Sequence, residues 1–196
     1  MNLSKISLKY LIFFISIAGI IFSSALSSSF HKYNTEIVLS NAPESESIGL
    51  PILLKIPKLN INTTIEQVGL ASDGAMDVPK GPAEVAWFSP GSRPGEVGSA
   101  VIAGHSGYKD NRPAVFDNLY KLRKGDKIYI EDGKGAIITF IVRKIQIYNP
   151  KANAGEVFGS NDEMAHLNLV TCTGIWNKIN KTHSDRLVIF SDKEIE

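Results

Sequence analysis

A single cysteine stands among 196 residues, so the chain closes no internal disulfide, and Cys172 has no cross-linking role within it. An excess of one charge is also missing. Lys and Arg number 21 against 20 Asp and Glu, a formal net charge of +1, which leaves no electrostatic footprint for nucleic acid or for a strongly acidic partner. There is no internal repeat, and no low-complexity tract outside a short polar stretch near the N-terminus. One cysteine and four scattered histidines lack zinc-ligand spacing. No dense Asp/Glu cluster marks a metal site, although loop carboxylates can converge in space, so a calcium requirement stays open. No other cofactor is indicated.

What the chain does have begins with an uncharged run. Lys5 and Lys9 precede Tyr10–Phe30, which as a helix spans the ~30 Å of a bilayer core. Lysines before the run favour a cytoplasmic N-terminus and a chain that continues outside. A cleaved signal peptide is the rival reading, with a small-residue site around Ala25. The expected organisation is a cytoplasmic tip and transmembrane anchor over 1–33, a Ser-, Asn-, Glu- and Pro-containing stalk over 34–49, and one soluble domain over 50–196.

That domain reads as mainly β. Ile52–Ile56, stopped by Pro57, and Ile61–Val68 are strands rich in apolar and β-branched residues. Ala71–Gly74 is a turn, and Gly81–Gly98, with three prolines, reads as loop. Ser99–Ala103 is a buried strand that ends in Gly104-His105-Ser106-Gly107. Val115, Phe116, Leu119 and Tyr120 fall at helical spacing and predict a short helix over Ala114–Leu122. Lys127–Glu131 and Ala136–Ile147 form a hairpin about Asp132-Gly133. Asn149–Glu163 is loop with at most a helical turn. A strand runs into Cys172 and a Thr-Gly turn follows it; Arg186–Phe190 is the last strand. About eight short strands with one or two small helices predict a closed β-barrel.

Cys172 is either a small buried hydrophobe or a thiol delivered to the lip of a sheet. A thiol attacks only as thiolate, which a histidine can stabilise or generate. His31 reads as interfacial, and His166 and His183 as ordinary surface residues. His105 differs, because glycines around it leave the imidazole open to a substrate. Arg186 opens the last strand; if that strand pairs antiparallel with the Cys172 strand, its guanidinium comes near the thiol and suits an oxyanion or a substrate carbonyl. An arginine at a strand start can equally be a surface charge beside Asp185.

Ala-Gly-His-Ser-Gly at 103–107, Val-Thr-Cys-Thr-Gly at 170–174 and Asp-Arg-Leu-Val-Ile-Phe at 185–190 together resemble the sortases, in sortase order. Ile56–Ile61, the run at 81–88, and Phe116 and Leu119 before Lys124-Gly125-Asp126 support the resemblance, which covers about Pro51 to the C-terminus. One position departs from it: Asn168 stands where the Thr-Leu-x-Thr-Cys signature often begins with Thr. The Thr-Gly-Ile-Trp segment after the cysteine looks closer to the class D, E or F forms than to class B.

The resemblance implies an eight-stranded sortase barrel and a membrane-anchored cysteine transpeptidase outside a bacterial cell. It would cut a Leu-Pro-x-Thr-Gly-like motif of surface proteins between Thr and Gly. The acyl group would then pass to an amine of a peptidoglycan precursor or a pilin lysine. Cys172 would be the nucleophile, His105 the general acid and base, and Arg186 the oxyanion ligand, with Thr171, Ala103 and Gly104 lining the substrate path. Two other readings stay open. One is a different thiol enzyme, such as a hydrolytic peptidase or an L,D-transpeptidase-like protein, which would be expected to show Ser-x-Gly-Cys. The other is a non-catalytic membrane-tethered β-domain.

Overall fold

Alternation of apolar and polar residues sets the first strands of the computed structural model, which describes residues 47–109, 112–179 and 182–195. β1 (Pro51–Ile56) buries Leu54 and Ile56 and turns Ile52 outward. Pro57, with its φ already near the helical value, opens a one-turn 3-10 segment over Pro57–Leu59. Asn60 at φ 55° closes it by donating its N–H to the Pro57 carbonyl at 3.0 Å. Asparagine tolerates that left-handed geometry, and β2 (Ile61–Val68) returns antiparallel to β1.

β3 (Val85–Phe88) lies inside the stretch read as loop. Its signal was hidden because Val85, Ala86 and Trp87 are all buried, so no alternation shows, and prolines and glycines crowd both sides. The Trp87 indole donates to the Ser92 carbonyl at 3.1 Å. β4 (Gly98–Gly104) follows, then a two-stranded ribbon of β5 (Tyr108–Lys109) and β6 (Arg112–Pro113). The helix expected over Ala114–Leu122 is instead a series of tight turns ending in a 3-10 turn, Leu119–Lys121. Phe116, Leu119 and Leu122 all point into the core, and successive i→i+3 bonds present that triplet as well as an α-helix would.

β7 (Lys127–Asp132) and β8 (Ile137–Tyr148) form the expected hairpin. A single helical turn, α1 (Gly155–Phe158), interrupts the next connection. β9 (Ala165–Asn177) and β10 (Thr182–Lys193) are longer than expected. The turn predicted after Cys172 is absent. The strand runs on through Gly174 at φ 82° with a register shift opposite His183 and Asp185, and the hairpin closes beyond Asn177.

The strand order is β1-β2-β3-β4-β9-β10-β8-β7, closed by β7 pairing with β1. β2–β3 and β4–β9 are parallel and the other neighbours antiparallel. Leu54, Ile102, Phe140, Leu167, Leu169 and Ile189 fill the interior, each contributing about 2 kcal/mol on burial. A second apolar cluster lies outside the barrel wall, where Val101, Tyr148, Val157, Val188 and Phe190 pack under the β8–β9 connection. Ser45–Glu196 is one compact unit. The anchor expected over 1–33 and most of the 34–49 stalk lie outside the described residues, as does His31. Among the described residues no helix is long and apolar enough to cross a membrane.

Candidate active site

Side chains at every second position of a strand share a face, and the registers around β9 build a ladder on its outer face. Asp192 pairs with His166, Phe190 with Asn168, Val188 with Val170, and Arg186 with Cys172. On the other side of β9, Ser99, Val101 and Ala103 of β4 pair with His166, Asn168 and Val170. β4 ends at Gly104 and His105 follows it directly, while the next residue, Ser106, donates its hydroxyl to the Cys172 carbonyl and so keeps His105 close to Cys172. Tyr148, the last residue of β8, is the partner of Arg186. His105, Cys172, Arg186 and Tyr148 thus form the top rung, and all four line one open cavity of about 550 Å³.

Local hydrogen bonds hold this rung where the β4 ladder has ended. The Thr171 hydroxyl donates to the Gly104 carbonyl at 2.8 Å, and the Ser106 hydroxyl donates to the Cys172 carbonyl at 2.5 Å. Gly104 has no room for a side chain, since a Cβ there would sit 2.4 Å from the ring of buried Phe116. His105 is half-buried, and its Nε2 lies 2.8 Å from the Pro79 carbonyl. A carbonyl only accepts, so Nε2 carries a proton there. Arg186 is held by its own hairpin. Nη1 donates to the carbonyls of Asp185 at 2.9 Å and His183 at 3.3 Å, and Nη2 to the Thr182 hydroxyl at 3.4 Å. Among the described residues this leaves Nε–H and one Nη2 hydrogen to a ligand.

The cavity walls are apolar. Met76, Val78 and Phe88 line one side, and Ala154, Val157 and Phe158 another. Phe88 and Phe158 meet edge to face with centroids 5.6 Å apart. Tyr148 donates to Glu156 in a short hydrogen bond. Burial first, and then that bond to Glu156, push the Tyr148 phenol up to about 12, so it stays a neutral donor. The bonds from Tyr148 and then Lys144 hold the Glu156 carboxyl below its ordinary value.

Cys172 is half-buried rather than sealed in the core. Ala103, Gly104 and Thr171 line the same cavity, and the Thr171 hydroxyl is committed to the Gly104 carbonyl. His166 departs from its surface reading: it is 3% exposed and clasped by Asp162 and Asp192. His183 packs edge-on to Trp176, centroids 5.0 Å apart, and is not part of the cavity lining. Three contributors escaped sequence reasoning. Pro79 and Ser106 act through a backbone acceptor and a short hydroxyl and leave no pattern. Tyr148 could have been found by extending the β8 alternation one residue past Ile147. Among the described residues no group of three His, Cys, Asp or Glu side chains could hold a metal ion.

Comparisons with known proteins give the family. The family described as Sortase domain matches residues 54–194. The chain belongs to the sortase family. It is therefore a cysteine transpeptidase, and Cys172 is the one cysteine it has. None of the curated proteins matches the chain in sequence. Among solved structures, the sortase barrel is similar to the Clostridium perfringens sortase D5 transpeptidase, at 26% identity and a TM-score of 0.54, covering 75% of this chain and 79% of that one. The pilus-related sortase C of Group B Streptococcus is similar at 26% identity and a TM-score of 0.57, covering 76% and 69%. Sortase C-1 of Actinomyces oris shares the fold at 22% identity and a TM-score of 0.59, covering 74% and 76%. A sortase A is among the similar structures too, so the barrel is common to several classes and does not separate them.

Proposed function

We propose that this sortase cleaves a Leu-Pro-x-Thr-Gly-like sorting motif between Thr and Gly and transfers the Thr acyl group to an amine. The observation that carries the reading is the shared site: His105 just after β4, Cys172 on β9 and Arg186 on β10 line one apolar-walled cavity. Cys172 thiolate attacks the Thr carbonyl carbon, and the C–O π electrons move to oxygen. The Arg186 hydrogens not used by the hairpin stabilise that oxyanion. The C–N bond then breaks and the glycine amine leaves with a proton from His105. The thioester is then attacked by the acceptor amine, which gives a proton back to His105. Cys172 departs as thiolate and a new amide remains.

The acceptor in this reading is an amine of a cell-wall peptide precursor or a pilin lysine. The enzyme sits in the bacterial membrane by the Tyr10–Phe30 run, N-terminus inside and barrel outside. The test is incubation of the enzyme with sorting-motif peptides and several amines, with products identified by mass. The expected result is a Thr-linked amide with amine, a thioester or slow hydrolysis without it, and neither from Cys172→Ala. Normal turnover by Cys172→Ala would sink the reading.

A further inference from the structure

Two side chains on the face of β9 that carries Cys172 take no part in the chemistry above, yet both reach for the same wall of the cavity. The connection between Asn149 and Glu163 contains no strand, and backbone bonds inside it are local, Ala152 to Asn149, Val157 to Ala154 and Gly159 to Gly155. It nonetheless places Ala154, Val157 and Phe158 along the cavity. Asn168, fully buried, donates from Nδ2 to the Val157 carbonyl at 2.7 Å. Its Oδ1 is buried and meets no hydrogen-bond partner among the described residues. Two residues earlier, His166 binds the end of the same connection. Its Nε2 lies 2.8 and 3.0 Å from the Asp162 oxygens, and its Nδ1 lies 2.7 Å from Asp192. Arg143 Nε braces Asp192 at 2.8 Å.

His166 has a carboxylate within hydrogen-bond distance of each ring nitrogen. The ring is a fixed bridge from β10 to the loop. Asn168 is the position where the chain departs from the Thr of the sortase signature. A threonine hydroxyl is one bond shorter than an asparagine amide and would not span to Val157. Nothing about holding a strand requires the longer side chain, and its uncompensated Oδ1 works against it.

We propose that Asn168 and His166 are positioning residues for the transpeptidation. They clamp the wall formed by Ala154, Val157 and Phe158 against the barrel and so set the affinity for the apolar part of the peptide substrate. This rests on the reading that the cavity holds a sorting-motif peptide. The chemical rung lies further along the ladder, so loss of the clamp acts on KM and not on kcat.

The test compares Asn168→Thr, Asp162→Ala and Asp162→Asn with wild type. It reads KM and kcat for a sorting-motif peptide, the rate of Cys172 alkylation by iodoacetamide without peptide, and hydrogen exchange of the amides at 155–163. Asn168→Thr and Asp162→Ala should each raise KM about ten-fold with kcat within about two-fold. Alkylation should keep its wild-type rate while exchange at 155–163 quickens. Asp162→Asn keeps an acceptor oxygen and should retain most of the affinity. If exchange quickens while KM stays put, the wall does not grip the peptide and the proposal falls. If kcat and alkylation fall together with KM unchanged, the two residues act on the chemical rung and the proposal again falls. Should wild-type enzyme turn over no peptide, the substrate reading is at fault, and unchanged exchange in the variants would separately overturn the clamp. Asp162 has its side chain half in solvent, so Asp162→Ala decides the matter if Asn168→Thr does not fold.

Discussion

Arg186 has three hydrogen bonds to its own hairpin before any substrate arrives, so its guanidinium is oriented in advance. Preorganised donors stabilise a developing charge without reorganising at the moment of reaction. The oxyanion exists only along the reaction path, so Arg186→Ala should lower kcat more than it raises KM, by about 10²–10³. Arg186→Lys should recover little, because one ammonium cannot both bind the hairpin carbonyls and present a planar fork to the oxygen. Steady-state kinetics with a sorting-motif peptide checks both; a variant that keeps most of its kcat would move oxyanion binding to backbone N–H groups near Cys172. At His105, loss of the imidazole removes the group that protonates the leaving amine, so His105→Ala should lower kcat for the same peptide. A His105→Ala variant that keeps its kcat would remove His105 from the mechanism.

Among the connecting elements, the β7–β8 hairpin is tied by one side chain. Asp132 is 2% exposed and accepts from three backbone N–H groups: Gly49 at 2.7 Å, and Lys134 and Ala136 at 2.9 Å each. Burial pushes its carboxyl up, but those three donors, with Lys134 nearby, outweigh burial and hold it below the ordinary aspartate value. A depressed folded-state value means that the stability Asp132 contributes is present above the ordinary pKa of about 3.9 and is lost as pH falls through the lower folded value. Asp132→Ala strands three donors and should cost about 3 kcal/mol, whereas loss of a single exposed ion pair such as Lys58–Asp126 should cost under about 1 kcal/mol. Thermal or denaturant melts check this at neutral pH, and the difference between wild type and Asp132→Ala should narrow in acid.

At the scale of the whole molecule, closure of the sheet disposes of every main edge, so the barrel offers no long unpaired strand to a neighbour. What it leaves for function is one end of the wall, where β4 and β8 end and β9 and β10 run on past the cavity. The proposed placement of this barrel outside the cell rests on Lys5, Lys9 and the uncharged run after them. Protease added to intact cells or protoplasts should therefore degrade the 50–196 domain. Complete protection would reject the external location, and a mature chain beginning near Ser27 would reject the uncleaved anchor.

Strand content and most strand positions were legible in the chain itself, and so were His105, Cys172 and Arg186 as candidates. Those signals are local: a period of two, turn residues at strand ends, and a lone thiol among few candidates. β3 was not legible, because a strand buried on both faces has no alternation and its pairing with β2 and β4 supplies the order. The helix over Ala114–Leu122 was misread because apolar spacing fits a series of tight turns as well as an α-helix. His166 looked like a surface residue for a similar reason, since its burial comes from Asp162 and from Asp192 on another strand. Only the tertiary structure decided which residues share a rung. Register is a long-range property: it sets Cys172 opposite Arg186, and it places Asn168 under Val157. No residue's own chemistry specifies a neighbour that arrives from another strand.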